Sequence, residues 1–117
     1  PRNARMRSAS CTNPGEIPGN GIDDDGNNVI DDVYGVNAIA DNGDPMDTEG
    51  HGTHCAGTIA ATGNNAKGVT GIAWQARLVA CKFIGPNGGA FSDAAEALYY
   101  AWEQAGADVI SCSWGGG

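Results

Sequence analysis

A chain of 117 residues suffices for one small domain, and a globule of that size buries roughly two thirds of its unfolded surface. Apolar residues at 41% and charged residues at 17% exclude a disordered chain, and no apolar run approaches the roughly 18 residues of a membrane span. The net charge of −8 is unevenly laid out, with ten of the fourteen acidic residues between Glu16 and Glu49 and no Lys or Arg from 8 to 66, the reverse of the clustered positive charge that nucleic-acid binding needs.

In chain order, the first ten residues carry three arginines but no apolar stretch, so they are not a secretory signal. Asn13-Pro14-Gly15 and Pro18-Gly19-Asn20-Gly21 are turn signals. Residues 21–50 form a long Asp/Asn/Gly-rich loop region, interrupted by a short apolar-alternating piece around Val33–Ala38; loops of that length are usually functional or disordered. From His51 to Ala61 the texture turns small and apolar, which predicts a helix, ended by Gly63-Asn64-Asn65. Arg77–Ile84 predicts a strand, closed by Gly85-Pro86-Asn87-Gly88-Gly89. Ser92 stands as the N-cap of a second helix, with Asp93 in its first turn where the helix dipole favours negative charge. That helix runs to about Gln104, with Ala94, Ala97, Leu98, Ala101 and Trp102 on one stripe and Gly106 as its stop. Asp108–Ser113 predicts a second buried strand. Strand, helix, strand with short connections implies a right-handed crossover, hence an α/β fold with a partial parallel sheet and flanking helices. Four cysteines (Cys11, Cys55, Cys81, Cys112) lack paired spacing, so no connectivity can be read from them, and buried free thiols are the simpler account.

The strongest motif is Gly50-His51-Gly52-Thr53-His54-Cys55-Ala56-Gly57-Thr58. A general base needs an imidazole at a rigid site, and a helix N-terminus leaving a glycine turn supplies one. With Gly68-Val69-Thr70-Gly71-Ile72-Ala73 and the terminal Ser113-Trp114-Gly115-Gly116, the block resembles the subtilisin-like serine proteases, in the family's order and near its spacing. The resemblance covers 13–117 as part of a peptidase domain of the three-layer subtilisin-like fold; residues 1–12 do not match. It implies that His51 takes the serine's proton and delivers it to the leaving amine, and that His54 is structural. It also implies that Cys55 packs beneath His51 as a free thiol, with sensitivity to mercurials. The rival reading is zinc held by His51, His54 and Cys55, but helical zinc pairs stand at i, i+4 and these histidines are at i, i+3.

By the same resemblance Ser113, Trp114 and Gly115 are the strand end that pairs with the peptide substrate, and Gly88-Gly89-Ala90 is the opposite wall. Backbone pairing lets one site hold many sequences, and Gly115 lets the substrate main chain approach without a Cβ in the way. Trp114 is expected to wall a pocket for apolar side chains.

The acidic loop has the form D-x-D-x-N-x-x-x-D from Asp23 to Asp31. Asp23, Asp25, Asn27 and Asp31, with the Val29 carbonyl, are the expected ligands of a Ca²⁺ ion, a hard cation that takes six to eight oxygens. Asn28 stands where such loops prefer glycine and tolerates the left-handed conformation. No Asp-Thr-Gly-like turn precedes the loop, and no Gly-Thr-Ser nucleophile block occurs. Without them no acyl-enzyme forms, so the 117 residues alone are expected to be inactive. The sequence therefore reads as the histidine-bearing piece of a secreted, calcium-supported serine endopeptidase acting on polypeptides, with a pro-region inhibitor as a further partner of the parent. The alternative is a non-catalytic calcium-binding or interaction module of similar texture.

Overall fold

The structure is a computed structural model and describes residues 12–115. The unmatched segment 1–12 falls almost wholly outside the described residues, as do Cys11 and Gly116. The fold is α/β. In chain order it has a strand at Gly35–Asn37 (β1), a helix at His51–Ala60 (α1), a strand at Ala80–Lys82 (β2) and a helix at Phe91–Tyr99 (α2).

The sheet is parallel, as expected, but its strands are not the expected pair. β1 pairs with β2 in the register Gly35↔Ala80, Val36↔Cys81 and Asn37↔Lys82, so the apolar piece inside the long loop is the partner of β2. Asp108–Ser113 joins no ladder, and Val109 is 85% exposed. A strand exists only where a neighbour accepts its hydrogen bonds, and apolar composition alone does not supply that neighbour. β1 approaches β2 closely at Gly35, whose φ is 139°. A Cβ there would lie 1.9 Å from the Ala80 carbonyl oxygen.

α1 is held at its far end by the block that follows it. The N–H groups of Gly71, Ile72 and Ala73 donate to the carbonyls of Ala61, Thr58 and Ile59, at 2.8, 3.1 and 2.8 Å. The last carbonyls of a helix lack intrahelical partners, so this strap satisfies them. It also buries Ala60 completely.

α2 packs against β2 and buries Ala94 and Ala97. Its cap is Ala90, not Ser92, whose hydroxyl donates instead to Asp93 Oδ1. Beyond Tyr99 the helix widens into a π turn over Tyr100–Gln104, closed by the Ala105 N–H on the Tyr100 carbonyl at 2.8 Å. The expected stripe holds at its alanines and not at its large residues. Tyr100 and Ala101 are buried, while Leu98 and Trp102 are 37% and 62% exposed. Gly106 ends the element at φ 63°. Val33, Val36 and Ala38 complete the apolar core from β1 and its flanks.

Candidate active site and acidic loop

His51 is the first residue of α1 and is exposed. The residue before it, Gly50, sits in the left-handed region at φ 85°, ψ −16° and has no side chain to cap the helix. The cap comes from Asp47 instead. Its Oδ1 accepts the N–H groups of Glu49 and Gly50, both at 2.9 Å. Its Oδ2 accepts the Thr53 N–H at 2.8 Å and the Thr53 hydroxyl at 2.6 Å. The Thr53 hydroxyl first, then the backbone donors, hold the Asp47 carboxyl well below the usual aspartate range.

One turn on, Cys55 Sγ lies 3.8 Å from His51 Nε2, and Cys55 is in no disulfide. His54 is exposed, and its carbonyl accepts the Thr58 hydroxyl at 3.1 Å. His51, His54 and Cys55 do not bring their ligand atoms together as a metal group, so the i, i+3 spacing does not build the zinc rival.

The two segments expected to flank a substrate meet at Phe83, a residue the sequence placed only within a strand. The Trp114 ring stands edge-on to the Phe83 ring at 4.9 Å between centroids and 73° between planes. On the other side, Gly89 packs on the Phe83 carbonyl, where a Cβ would come within 2.4 Å. Gly88 adopts φ 90° and closes a tight turn with Gly85 through two backbone bonds of 3.0 and 2.9 Å. Ser113 shares a hydroxyl contact with Ser111 at 2.9 Å, and Gly115 has open space around it.

In the acidic loop most carboxylates are turned onto backbone N–H groups. Asp23 accepts from Gly26, Asn27 and Asn28. Desolvation pulls its carboxyl upward, but these donors outweigh it and leave Asp23 below the ordinary range. Asp31 spends both oxygens on the turn at Gly19, Asn20 and Gly21, and Asn27 Oδ1 accepts the Val29 N–H at 2.8 Å. Asn28 does adopt φ 71°. Asp32, fully buried, accepts from Asn13, Asn27 and the Tyr100 hydroxyl.

Among the described residues, the acidic groups close enough to share an ion are Glu16, Asp23 and Asp25, with ligand oxygens all within 4.8 Å of one another. Asp31 is outside that group. Glu16 is 7% exposed. Its Oε1 accepts the Asp24 and Asp25 N–H groups, while its buried Oε2 has no partner among the described residues. Glu16 stands seven residues ahead of Asp23, outside the alternating motif, so the sequence pattern passed over it.

Comparison with known proteins gives one family. A profile of the subtilase family matches residues 11–117. The chain is 47% identical over 80 residues to subtilisin-like protease 1 of Plasmodium vivax, covering 68% of this chain and 13% of that protein. It is 40% identical over 85 residues to thermitase of Thermoactinomyces vulgaris, covering 72% and 30%. It is 38% identical over 112 residues to an extracellular protease of Xanthomonas campestris, covering 85% and 18%. The chain thus spans less than a third of the length of these relatives.

Proposed function

The chain belongs to the subtilase family, and on that premise we propose that it forms the histidine-bearing part of a secreted serine endopeptidase that cleaves polypeptides. The observation that carries the reading is the placement of His51: an exposed imidazole on the first turn of a helix whose approach is fixed by a left-handed glycine. In that role His51 takes the proton of a serine hydroxyl as it attacks the peptide carbonyl, then returns it to the departing amine. The serine and the aspartate that sets the imidazole tautomer come from other parts of the parent protein. Trp114 and Gly115 on one side, and Gly88 and Gly89 on the other, hold the substrate backbone; the contacts of Trp114 and Gly89 with Phe83 support a cleft whose two walls meet at that residue. The extracellular relative from Xanthomonas campestris supports secretion. In the full-length protein, His51→Ala should lower kcat about 10⁶-fold with little change in KM. A loss below tenfold rejects the base.

A cation belongs to the same reading. Buried carboxylates are costly without a partner, and Glu16 Oε2 has none among the described residues. Three clustered acids with one such oxygen suit Ca²⁺, which takes carboxylate and carbonyl oxygens. The proposed ligands are Glu16, Asp23 and Asp25, with Asn27 and the Val29 carbonyl available nearby in the loop. Asp31 is left to its turn. The ion would neutralise the loop and lock it against unfolding. Calcium at about 100 Kd should stabilise the full-length protein by about 2.7 kcal/mol, seen as a higher Tm than in chelator. Glu16→Gln should remove most of that difference. Equal melting temperatures with calcium and chelator would reject the site.

A further inference from the structure

The carboxylate of Asp47 does a task that helix architecture normally gives to another residue. An N-cap side chain accepts the N–H of the second or third helical residue. In α1 the cap position is Gly50, which has no side chain, and the third helical residue is Thr53. The Thr53 N–H is bonded by Asp47, three residues upstream of the cap, at 2.8 Å. The same carboxylate takes the Thr53 hydroxyl and the N–H groups of Glu49 and Gly50. One side chain therefore ties the chain on both sides of His51, two donors before it and two after it.

The division of labour has a physical reason. A capping side chain at position 50 would need the left-handed φ of 85°, which costs any residue but glycine, and would stand next to His51 at the mouth of the site. Moving the cap to Asp47 leaves Gly50 free to turn and keeps the approach to the ring open. It also brings a full negative charge to the helix N-terminus, where the macrodipole favours one.

We propose that Asp47 is a positioning residue for His51: it acts through Thr53 and the Gly50 turn to hold the imidazole in the geometry that proton transfer requires. The inference rests on the peptidase reading given above. Its signature is a loss in kcat rather than KM, because a displaced base fails in the transition state while the substrate-pairing segments at 88–89 and 113–115 stay in place. A misplacement of about 1 Å costs roughly 10²-fold.

The test uses the full-length protease, with kcat and KM measured per folded molecule by near-ultraviolet circular dichroism. Asp47→Ala should lower kcat roughly 30- to 100-fold with KM within about twofold. Asp47→Asn, which keeps one acceptor oxygen, should fall between it and the wild type. Thr53→Val removes a single bond of the four and tests the link where Asp47→Ala does not fold. It should lower kcat, and Thr53→Ser, which keeps the hydroxyl, should restore most of what Thr53→Val loses. If every folded variant keeps the wild-type kcat, Asp47 is a helix cap and nothing more, and the inference is overturned. If KM rises while kcat holds, it is overturned as well. A wild-type protein without peptidase activity would instead overturn the proposed function, a result separable from both.

Discussion

Tyr100 and Asp32 show how a buried polar contact fixes a long loop to a helix. The phenol donates to Asp32 Oδ2, and four residues further along, at the end of the π turn, Gln104 Nε2 donates to the Asn27 carbonyl at 3.1 Å. Tyr100 and Ala101 thus fill the core at the start of the π turn while Gln104 at its end reaches the loop. Burial first, and then the Asp32 contact, push the Tyr100 hydroxyl far above its ordinary value. A group whose folded pKa is raised contributes stability below its unfolded pKa, here about 10, and loses it as pH climbs beyond that. Tyr100→Phe should therefore cost about 1.5–3 kcal/mol at neutral pH, the range for a hydrogen bond to a charged group. The difference from wild type should shrink above about pH 10. Denaturant melts at pH 7 and at alkaline pH check both points, and a variant as stable as wild type at pH 7 would show that the bond contributes nothing net.

At the scale of elements, the pairing of β1 with β2 depends on a residue without a side chain. An alanine at position 35 would drive its Cβ to 1.9 Å from the Ala80 oxygen, and it would have to hold a φ of 139°. Gly35→Ala should destabilise the fold by about 3 kcal/mol or more, above the usual cost of overpacking because backbone strain adds to it. Chemical denaturation measures it, and a loss under about 1 kcal/mol would mean the strands can separate at that point without harm. Both helices, β2 and the α/β class were legible because period and turn chemistry are local properties. The partner of β2 was not. Asp108–Ser113 and Val33–Ala38 both look like strands, and which one joins the ladder depends on hydrogen bonds between segments far apart in the chain. The cap of α2 differs because the helix begins at Phe91, which puts Ser92 inside its first turn rather than ahead of it. The helix that begins at His51 was legible through its nine-residue block. The hydrogen bonds of Glu16 and Asp47 were not, since each carboxylate reaches backbone N–H groups across a turn. An Asp three residues before a glycine cap was the available sign of Asp47.

The whole molecule divides its charge by task. The acidic half, Glu16 to Glu49, is organised by carboxylates that gather backbone N–H groups, first around Asp31 and Glu16 and then at Asp47, directly ahead of the histidine. The second half provides α2, β2 and the segments that meet at Phe83. The acidic loop and α1 are thus consecutive in the chain, and Asp47, the carboxylate that caps the helix, lies four residues from His51. That continuity is why a cation site in the loop would act on stability while Asp47 would act on turnover. If His51 is the base of a serine peptidase, the serine is activated only in its presence. Labelling the full-length protein with a peptidyl phosphonate ester, which bonds only to a serine activated by its histidine, tests this most directly. Stoichiometric labelling of one serine is expected in the wild type, with none in His51→Ala and none in the 117-residue chain alone; equal labelling of wild type and His51→Ala, or none in either, would rule out His51 as the base.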